Sequence, residues 1–280
     1  ISTEDAAVLL EAVRKELEND IYKFYVGTSY RHLTIWDKGE VVDLTPPHDV
    51  LGQKIGQYLP KDDKLREMMK KSYDILSNHP INVERMKRGL NPANSLWFWG
   101  AGTRPMLTSF EEKTGHKGAM ISAVDLLKGI AVGAGMKVIE VEGANGGLDT
   151  NYEGKADAAV DVLLNGGCDF AYIHLEAPDE MGHQGSYERK VKAIENLDKR
   201  IIKRVVEKME AAGEDFRMLV LPDHPTPVAI RTHVSDPVPY MLYDSTDKKN
   251  NTWSYNEKDG EASGNYIAEG HTIINRLFEK

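Results

Sequence analysis

Asp179 and His183 stand four residues apart, Asp223 and His224 are adjacent, and His233 follows nine residues later. On a helical turn, an Asp-x-x-x-His spacing sets a carboxylate and an imidazole on one face, within reach of one cation. Asp223 and His224, as neighbours, project in different directions, which suits two adjoining metals or one metal and one substrate oxygen. His233, in a Thr-His-Val-Ser-Asp-Pro loop, closes the first set as a second imidazole. Carboxylate plus imidazole suits Mn²⁺ or Zn²⁺ better than Ca²⁺, which prefers oxygen alone. Taken singly each pair is weak, since an Asp-x-x-x-His is commonly a helix-surface pair and an Asp after a strand commonly caps a turn. Their joint placement, in Gly- and Pro-rich segments at successive strand ends, points to a metal centre. His174 and Glu176 flank one of those ends and are expected to support the site or to pack beneath it.

The elements that position these residues are legible from Lys117 onward. Strand KGAMIS, helix from Asp125, strand MKVIEVE, helix from about Tyr152, strand FAYIHLE, helix from about Tyr187 and strand FRMLVLPDH follow one another. Strands alternating with helices imply crossover connections and a mostly parallel sheet, with ligands gathered at the C-terminal strand ends. The preceding part reads as a small α+β unit. It opens on a helix capped by Ser2 or Thr3 with Ala6, Leu9, Leu10 and Val13 on one face, continues through β-rich runs KFYVGTSY and RHLTIW, and includes a charged helix from Lys64 to Leu76. The aromatic-rich segment from Asn91 to Pro105 is expected to be a strand whose ends reach a ligand. The polar stretch from Asp244 to Gly264 reads as a surface loop with a short turn of helix.

The 280 residues are 41% hydrophobic and 28% charged, a mixture ordinary for globular domains and sufficient for a sizeable core. A net charge of −9 argues against a nucleic-acid surface and in favour of small-molecule chemistry. The single Cys168 cannot form an internal disulfide, and it lies in a run that reads as a buried strand. With no apolar stretch long enough to span a bilayer, the expected location is the cytoplasm, with no membrane partner.

The segments IHLEAPDEMGHQG, LVLPDHPTP and RTHVSDPVPYMLY resemble the metal-binding segments of the archaeal-type, cofactor-independent phosphoglycerate mutases, a group that includes proposed bacterial homoserine kinases. SYRHL, PPHDVLGQK, NPANSLWFWG, SAVDLLKG and LDTNYEGKA extend the resemblance over essentially the whole chain. It implies an α/β, alkaline-phosphatase-like fold, a mostly parallel sheet sandwiched by helices, with a smaller inserted α+β domain. Residues 1–109 would be that inserted substrate-binding domain and 110–280 the metal-binding domain. Two divalent ions (Mn²⁺, Zn²⁺ or Co²⁺) are implied, one held by Asp179, His183 and His233, the other in part by Asp223 and His224, with no 2,3-bisphosphoglycerate required. The family's remaining ligands, an Asp in the first strand and the nucleophilic Ser, match nothing here. The resemblance therefore implies an N-terminally truncated fragment, itself inactive, with the cleaved segment as a partner.

The implied reaction is interconversion of 3-phosphoglycerate and 2-phosphoglycerate through a phosphoserine. Arg31, His32 and Arg104 are the candidates for gripping phosphate or carboxylate, because arginine offers a planar fork of donors; Lys128, in the first turn of its helix, is a fourth. His48 and Asp49 form a weaker pair. The competing readings are a homoserine kinase-like phosphotransferase, a metal-dependent phosphatase or phosphodiesterase, and a non-catalytic metal-stabilised module. No Walker A or Gly-rich kinase loop supports the first of these.

Overall fold

The computed structural model describes residues 1–247 and 252–279, with the side chain of His48 outside that description. The chain divides into two compact units, Ile1–Arg104 and Pro105–Lys280, each taken in turn.

The first unit begins with α1 (Thr3–Leu17). Ser2 Oγ accepts the Asp5 N–H at 3.2 Å, Glu4 and Asp5 sit in the first turn, and Arg14 near the end pairs with Glu18. Each of these favours the helix at the terminus where it acts. Its buried stripe of Ala6, Leu9, Leu10, Val13 and Leu17 meets α2 (Asp63–Leu76), which Asp62 caps, and the inner face of a hairpin. That hairpin pairs β1 (Tyr22–Tyr25) antiparallel with β2 (Leu33–Trp36); Tyr22 stacks on Trp36 at 5.5 Å, while Tyr25 and Leu33 lie opposite one another on the outer face. A third helix, α3 (Pro80–Lys87), starts at His79.

The strand expected over residues 91–105 is not formed; the segment is coil. Its backbone groups find side chains instead of a ladder. Buried Asn82 donates to the Leu76 and Ala93 carbonyls and accepts the Ala93 N–H, and Ser72 Oγ accepts the Leu96 N–H. Trp97 donates its indole N–H to the Thr45 carbonyl at 2.7 Å. Once side chains satisfy these groups, strand pairing has nothing left to add.

The second unit opens with α4 (Phe110–Thr114), closed at its start by a Ser109–Glu112 capping box and at its end by Gly115 at φ 75°. Then follow β3 (Gly118–Ile121), α5 (Asp125–Gly133), β4 (Lys137–Val138), α6 (Tyr152–Leu164), β5 (Phe170–Ile173), α7 (Ala177–His183) and α8 (Tyr187–Asn196). A single π-helical stretch, Leu197–Ile202, joins α8 without a break to α9 (Lys203–Ala212). β6 (Arg217–Val220), β7 (Met241–Asp244), α10 (Glu257–Ala262) and α11 (Asn275–Phe278) complete it. β3 is central and pairs parallel with β4 and β5; β6 pairs antiparallel with β7. This is the expected mixed α/β architecture, with parallel strands under a helix layer.

Two details depart from expectation. MKVIEVE yields only two strand residues, because after Ile139 donates to the Met120 carbonyl the chain turns at Val141–Ala144. Cys168 is buried but precedes β5, and β5 itself is only half-buried. Of the polar stretch from Asp244, residues 248–251 lie outside the description, and α10 is its short helix. Among the described residues no helix is long and apolar enough to cross a membrane.

The helix layer is tied by two guanidinium forks. Arg200 grips Glu153 at 2.6 and 2.7 Å, and Arg204 grips Asp157 at 2.7 and 2.8 Å, with Lys208 adding a contact at 2.7 Å. The hydrogen bonds from Arg204 hold the Asp157 carboxyl at about 2, well below its ordinary value of 3.8. A carboxyl with a depressed folded-state pKa contributes stability that is complete above the unfolded pKa and is lost as pH falls through the folded one. Asp157→Asn is therefore expected to cost about 0.5–1 kcal/mol at pH 7, since the pair is solvent-screened. In urea unfolding that deficit shrinks between about pH 4 and pH 2 and is absent below it.

Candidate metal centre

β5 ends at Ile173 and the chain passes through His174 and Glu176 into α7, where Pro178 occupies the first turn. That turn puts Asp179 and His183 on one face, with Asp179 Oδ2 3.3 Å from His183 Nε2. β6 ends at Val220 and leads into the loop carrying Asp223, His224 and Thr226; the chain then turns at Arg231 to present His233. His233 Nε2 lies 3.3 Å from Asp179 Oδ1 and 3.0 Å from His183 Nε2, and its ring sits 3.8 Å from that of His224. Ligand atoms of Asp179, His224 and His233 all fall within 4.8 Å of one another.

The tautomer of His183 is fixed by its surroundings. Nδ1–H donates to the Arg231 carbonyl at 3.0 Å, so Nε2 presents a lone pair. The His183 Nε2 lone pair thus faces His233 Nε2 at 3.0 Å, and the two oxygens of Asp179 face one imidazole each at 3.3 Å. Metal–ligand bonds of about 2.0–2.1 Å in a tetrahedral arrangement place ligand atoms about 3.3 Å apart. The separations are of the size a divalent cation needs, and mixed N/O donors suit Zn²⁺, Mn²⁺ or Co²⁺.

His224 joins this cluster rather than diverging from it. Asp223, 69% exposed, accepts the His224 N–H at 3.1 Å and lies 3.4 Å from its Nε2, so the two side chains turn toward each other instead of apart. The structure therefore gathers Asp179, His183, His224 and His233 together, with Asp223 on the exposed side. Lys128 is elsewhere in the same unit, its Nζ 2.7 Å from Glu140. In the first unit, the Arg31 guanidinium lies 5.1 Å over the Tyr30 ring. His32 Nδ1 accepts the Gly27 N–H, and burial lowers the pKa of that imidazole. Arg104 is exposed in the coil.

Two supporting residues escape a sequence reading. Thr226 is buried and donates its hydroxyl to Asp179 Oδ1, while its carbonyl accepts Lys190 Nζ at 2.7 Å. Gly182 makes room for that carbonyl, since a Cβ there would meet it at 2.5 Å. Lys155 is 0% exposed and donates to the His174 carbonyl at 3.0 Å. Burial is the main cause that lowers its pKa, against the opposing charge of Glu176, whose own pKa burial raises. The available signal was a lysine within the buried face of α6, between Tyr152 and Ala156. Ser122 Oγ accepts the Val124 N–H and bonds His174 Nδ1 at 3.1 Å, locking that ring at the end of β5.

Thr226 holds one oxygen of Asp179 in place, so Thr226→Val is expected to weaken divalent-metal affinity about tenfold. Chelator competition checks this, and unchanged affinity would remove Thr226 from the site.

Residues 27–271 match the metalloenzyme superfamily. A 2,3-bisphosphoglycerate-independent phosphoglycerate mutase from Methanosarcina barkeri is 51% identical over 253 residues, covering 89% of this chain and 63% of that protein. The probable enzyme of the same name from Geobacter sulfurreducens is 42% identical over 100% of this chain and 71% of its own length. The solved structure of the PH0037 protein from Pyrococcus horikoshii superposes with a TM-score of 0.78 at 27% identity, covering 99% of this chain and 68% of the other. The chain thus spans somewhat under two thirds of the Methanosarcina relative's length. With a metal-type cluster at its strand ends and this degree of identity, the chain belongs to the 2,3-bisphosphoglycerate-independent phosphoglycerate mutase family of the metalloenzyme superfamily.

Proposed function

We propose that this chain is the metal-bearing part of a phosphoglycerate mutase that interconverts 3-phosphoglycerate and 2-phosphoglycerate without bisphosphoglycerate. The observation that carries the reading is the convergence of Asp179, His183, His224 and His233 at two strand ends in a chain of this family. In this reading Asp179, His183 and His233 hold one divalent ion, and Asp223 with His224 serves a second. Bound there, divalent metal supplies charge neutralisation for a transferring phosphoryl group and lowers the pKa of a coordinated hydroxyl.

The chain's own residues do the remainder. The Arg231 carbonyl holds His183 in the tautomer whose Nε2 is free of a proton, and Thr226 orients Asp179. Lys155 anchors the His174 carbonyl, so the strand end that feeds α7 keeps its place. Lys128 is proposed as a further cation for phosphate oxygens; burial is what mainly lowers the pKa of Lys155, and the Lys128 charge adds a smaller push in the same direction. Arg31, His32 and Arg104 are proposed to grip carboxylate or phosphate oxygens of the substrate. The serine that carries the phosphoryl group in this reading is not among the residues of the cluster. Residues 1–109 are proposed as the substrate-binding part and 110–280 as the metal-binding part.

The product of the complete gene, assayed for 3-phosphoglycerate conversion by coupling to enolase with Mn²⁺ and no bisphosphoglycerate, is expected to turn over and to fall silent with chelator. His183→Ala should lower turnover by at least about 100-fold. Turnover indifferent to chelator, or unchanged in the variant at equal metal content, overturns the proposal.

A further inference from the structure

The dipeptide Asn-Gly occurs twice in the chain, each time as Asn-Gly-Gly: Asn145-Gly146-Gly147 in the turn after β4, and Asn165-Gly166-Gly167 at the end of α6. Glycine after asparagine leaves no side chain to shield the next backbone nitrogen, so that nitrogen can reach the asparagine Cγ. Ring closure breaks the bond from Cγ to the side-chain nitrogen and expels ammonia, which carries off the proton of the glycine amide. Water then opens the five-membered imide, giving aspartate or isoaspartate. Both asparagines are exposed, so access alone does not separate the two sites.

Their hydrogen bonds do. At the end of α6 the Gly166 N–H donates to the Asp161 carbonyl at 3.0 Å, and Asn165 Nδ2 donates to Asp161 Oδ1 at 2.9 Å. Nucleophile and leaving group are both tied to the last turn of the helix, and Gly166 packs so closely on Val162 that a Cβ would meet its Cα at 2.7 Å. In the turn after β4 the Asn145 backbone N–H donates to Thr150 Oγ1 at 3.0 Å, and the Gly147 N–H donates to Asn145 Oδ1 at 2.8 Å. The Gly146 N–H, lying between them, has no acceptor among the described residues, and the side-chain nitrogen of Asn145 has none either. A donor on Oδ1 draws electron density from Cγ and stabilises the oxyanion that attack creates there. At Asn145 the nucleophile is free and the electrophile polarised; at Asn165 the nucleophile is held.

We propose that Asn145 is a self-modifying site, at which the Gly146 nitrogen closes an imide on Asn145 Cγ and the residue becomes isoaspartate or aspartate, while the fold protects Asn165 in the same sequence context. The turn that presents Asn145 is anchored at its base: Thr150 is buried, the Asn151 N–H donates to the Gly143 carbonyl at 3.1 Å, and Asn151 Nδ2 donates to the Glu142 carbonyl at 2.8 Å. The product carries a carboxylate where a neutral amide stood. A Cβ on Gly147 would meet both Asp149 Oδ1, at 2.8 Å, and Asn145 Oδ1, at 3.1 Å, so the new charge lies close to that of Asp149. The Glu176 carboxylate sits against Gly146, where a Cβ would meet its Oε2 at 2.5 Å. Isoaspartate also adds a methylene to the main chain between residues 145 and 146, in the wall that Gly146 offers to Glu176. The inference does not depend on which reaction the metal centre performs.

The test incubates the protein at mildly alkaline pH, with and without concentrated urea, and digests it at acid pH, which halts the reaction. Mass spectrometry then follows the peptides containing Asn145 and Asn165, with isoaspartate distinguished from aspartate by electron-transfer fragmentation. In the folded protein Asn145 is expected to convert at least about tenfold faster than Asn165, because only its neighbouring amide is open without local unfolding. In urea the two Asn-Gly-Gly sequences lose their structural difference, and the ratio of rates should fall toward one. Comparable rates in the folded protein, faster conversion at Asn165, or a ratio that survives in urea each overturns the proposal. Mutase activity is not read, so the outcome stands apart from that of the functional assay.

Discussion

His183 Nε2 and His233 Nε2 stand 3.0 Å apart, and each lies 3.3 Å from a different oxygen of Asp179, on two segments separated by fifty residues in sequence. Two of the three residues, His183 and Asp179, are also held from behind. The Arg231 carbonyl takes the far side of His183, and Thr226 takes one oxygen of Asp179. The surrounding backbone is shaped around these props. Arg231 adopts φ 56°, costly for a residue with a Cβ, and Gly185, where a Cβ would meet Arg231 Nε at 2.2 Å, leaves space for its side chain.

The candidate ligand residues stand out in the sequence because they follow strands, and an α/β chain builds its sites where parallel strands end. Asp179 and His183 needed only the periodicity of a single helical turn. What stayed hidden depends on contacts between distant segments. Thr226 looks like an ordinary turn residue until the loop folds against α7, and Lys155 looks like a solvated helix lysine until α6 is laid on the sheet. The direction of Asp223 was misread for the same reason: adjacency in sequence suggested divergence, whereas the loop closes the carboxylate onto its neighbour's own N–H.

Fold elements show the same division. Helices starting near Asp125, Tyr152 and Tyr187 announced themselves by local pattern, and they are where expected. Residues 91–105 carry strand-like composition and form none, because Asn82 and Ser72 supply the hydrogen bonds that a neighbouring strand would have offered. Local propensity decides only when tertiary partners do not bid for the same backbone groups.

The run from Tyr187 to Ala212 is one helix interrupted by a π-helical stretch. Wider turns shift the angular phase of everything downstream, so the two halves show different faces to the molecule. The first half sets Ala193 against Ala177 and Met181 of α7; the second sets Ile201, Val205 and Met209 into the core beneath the sheet. One rod thereby serves as a crankshaft: the helix that carries Asp179 and His183 and the core beneath the strands are keyed to the same shaft at different angles.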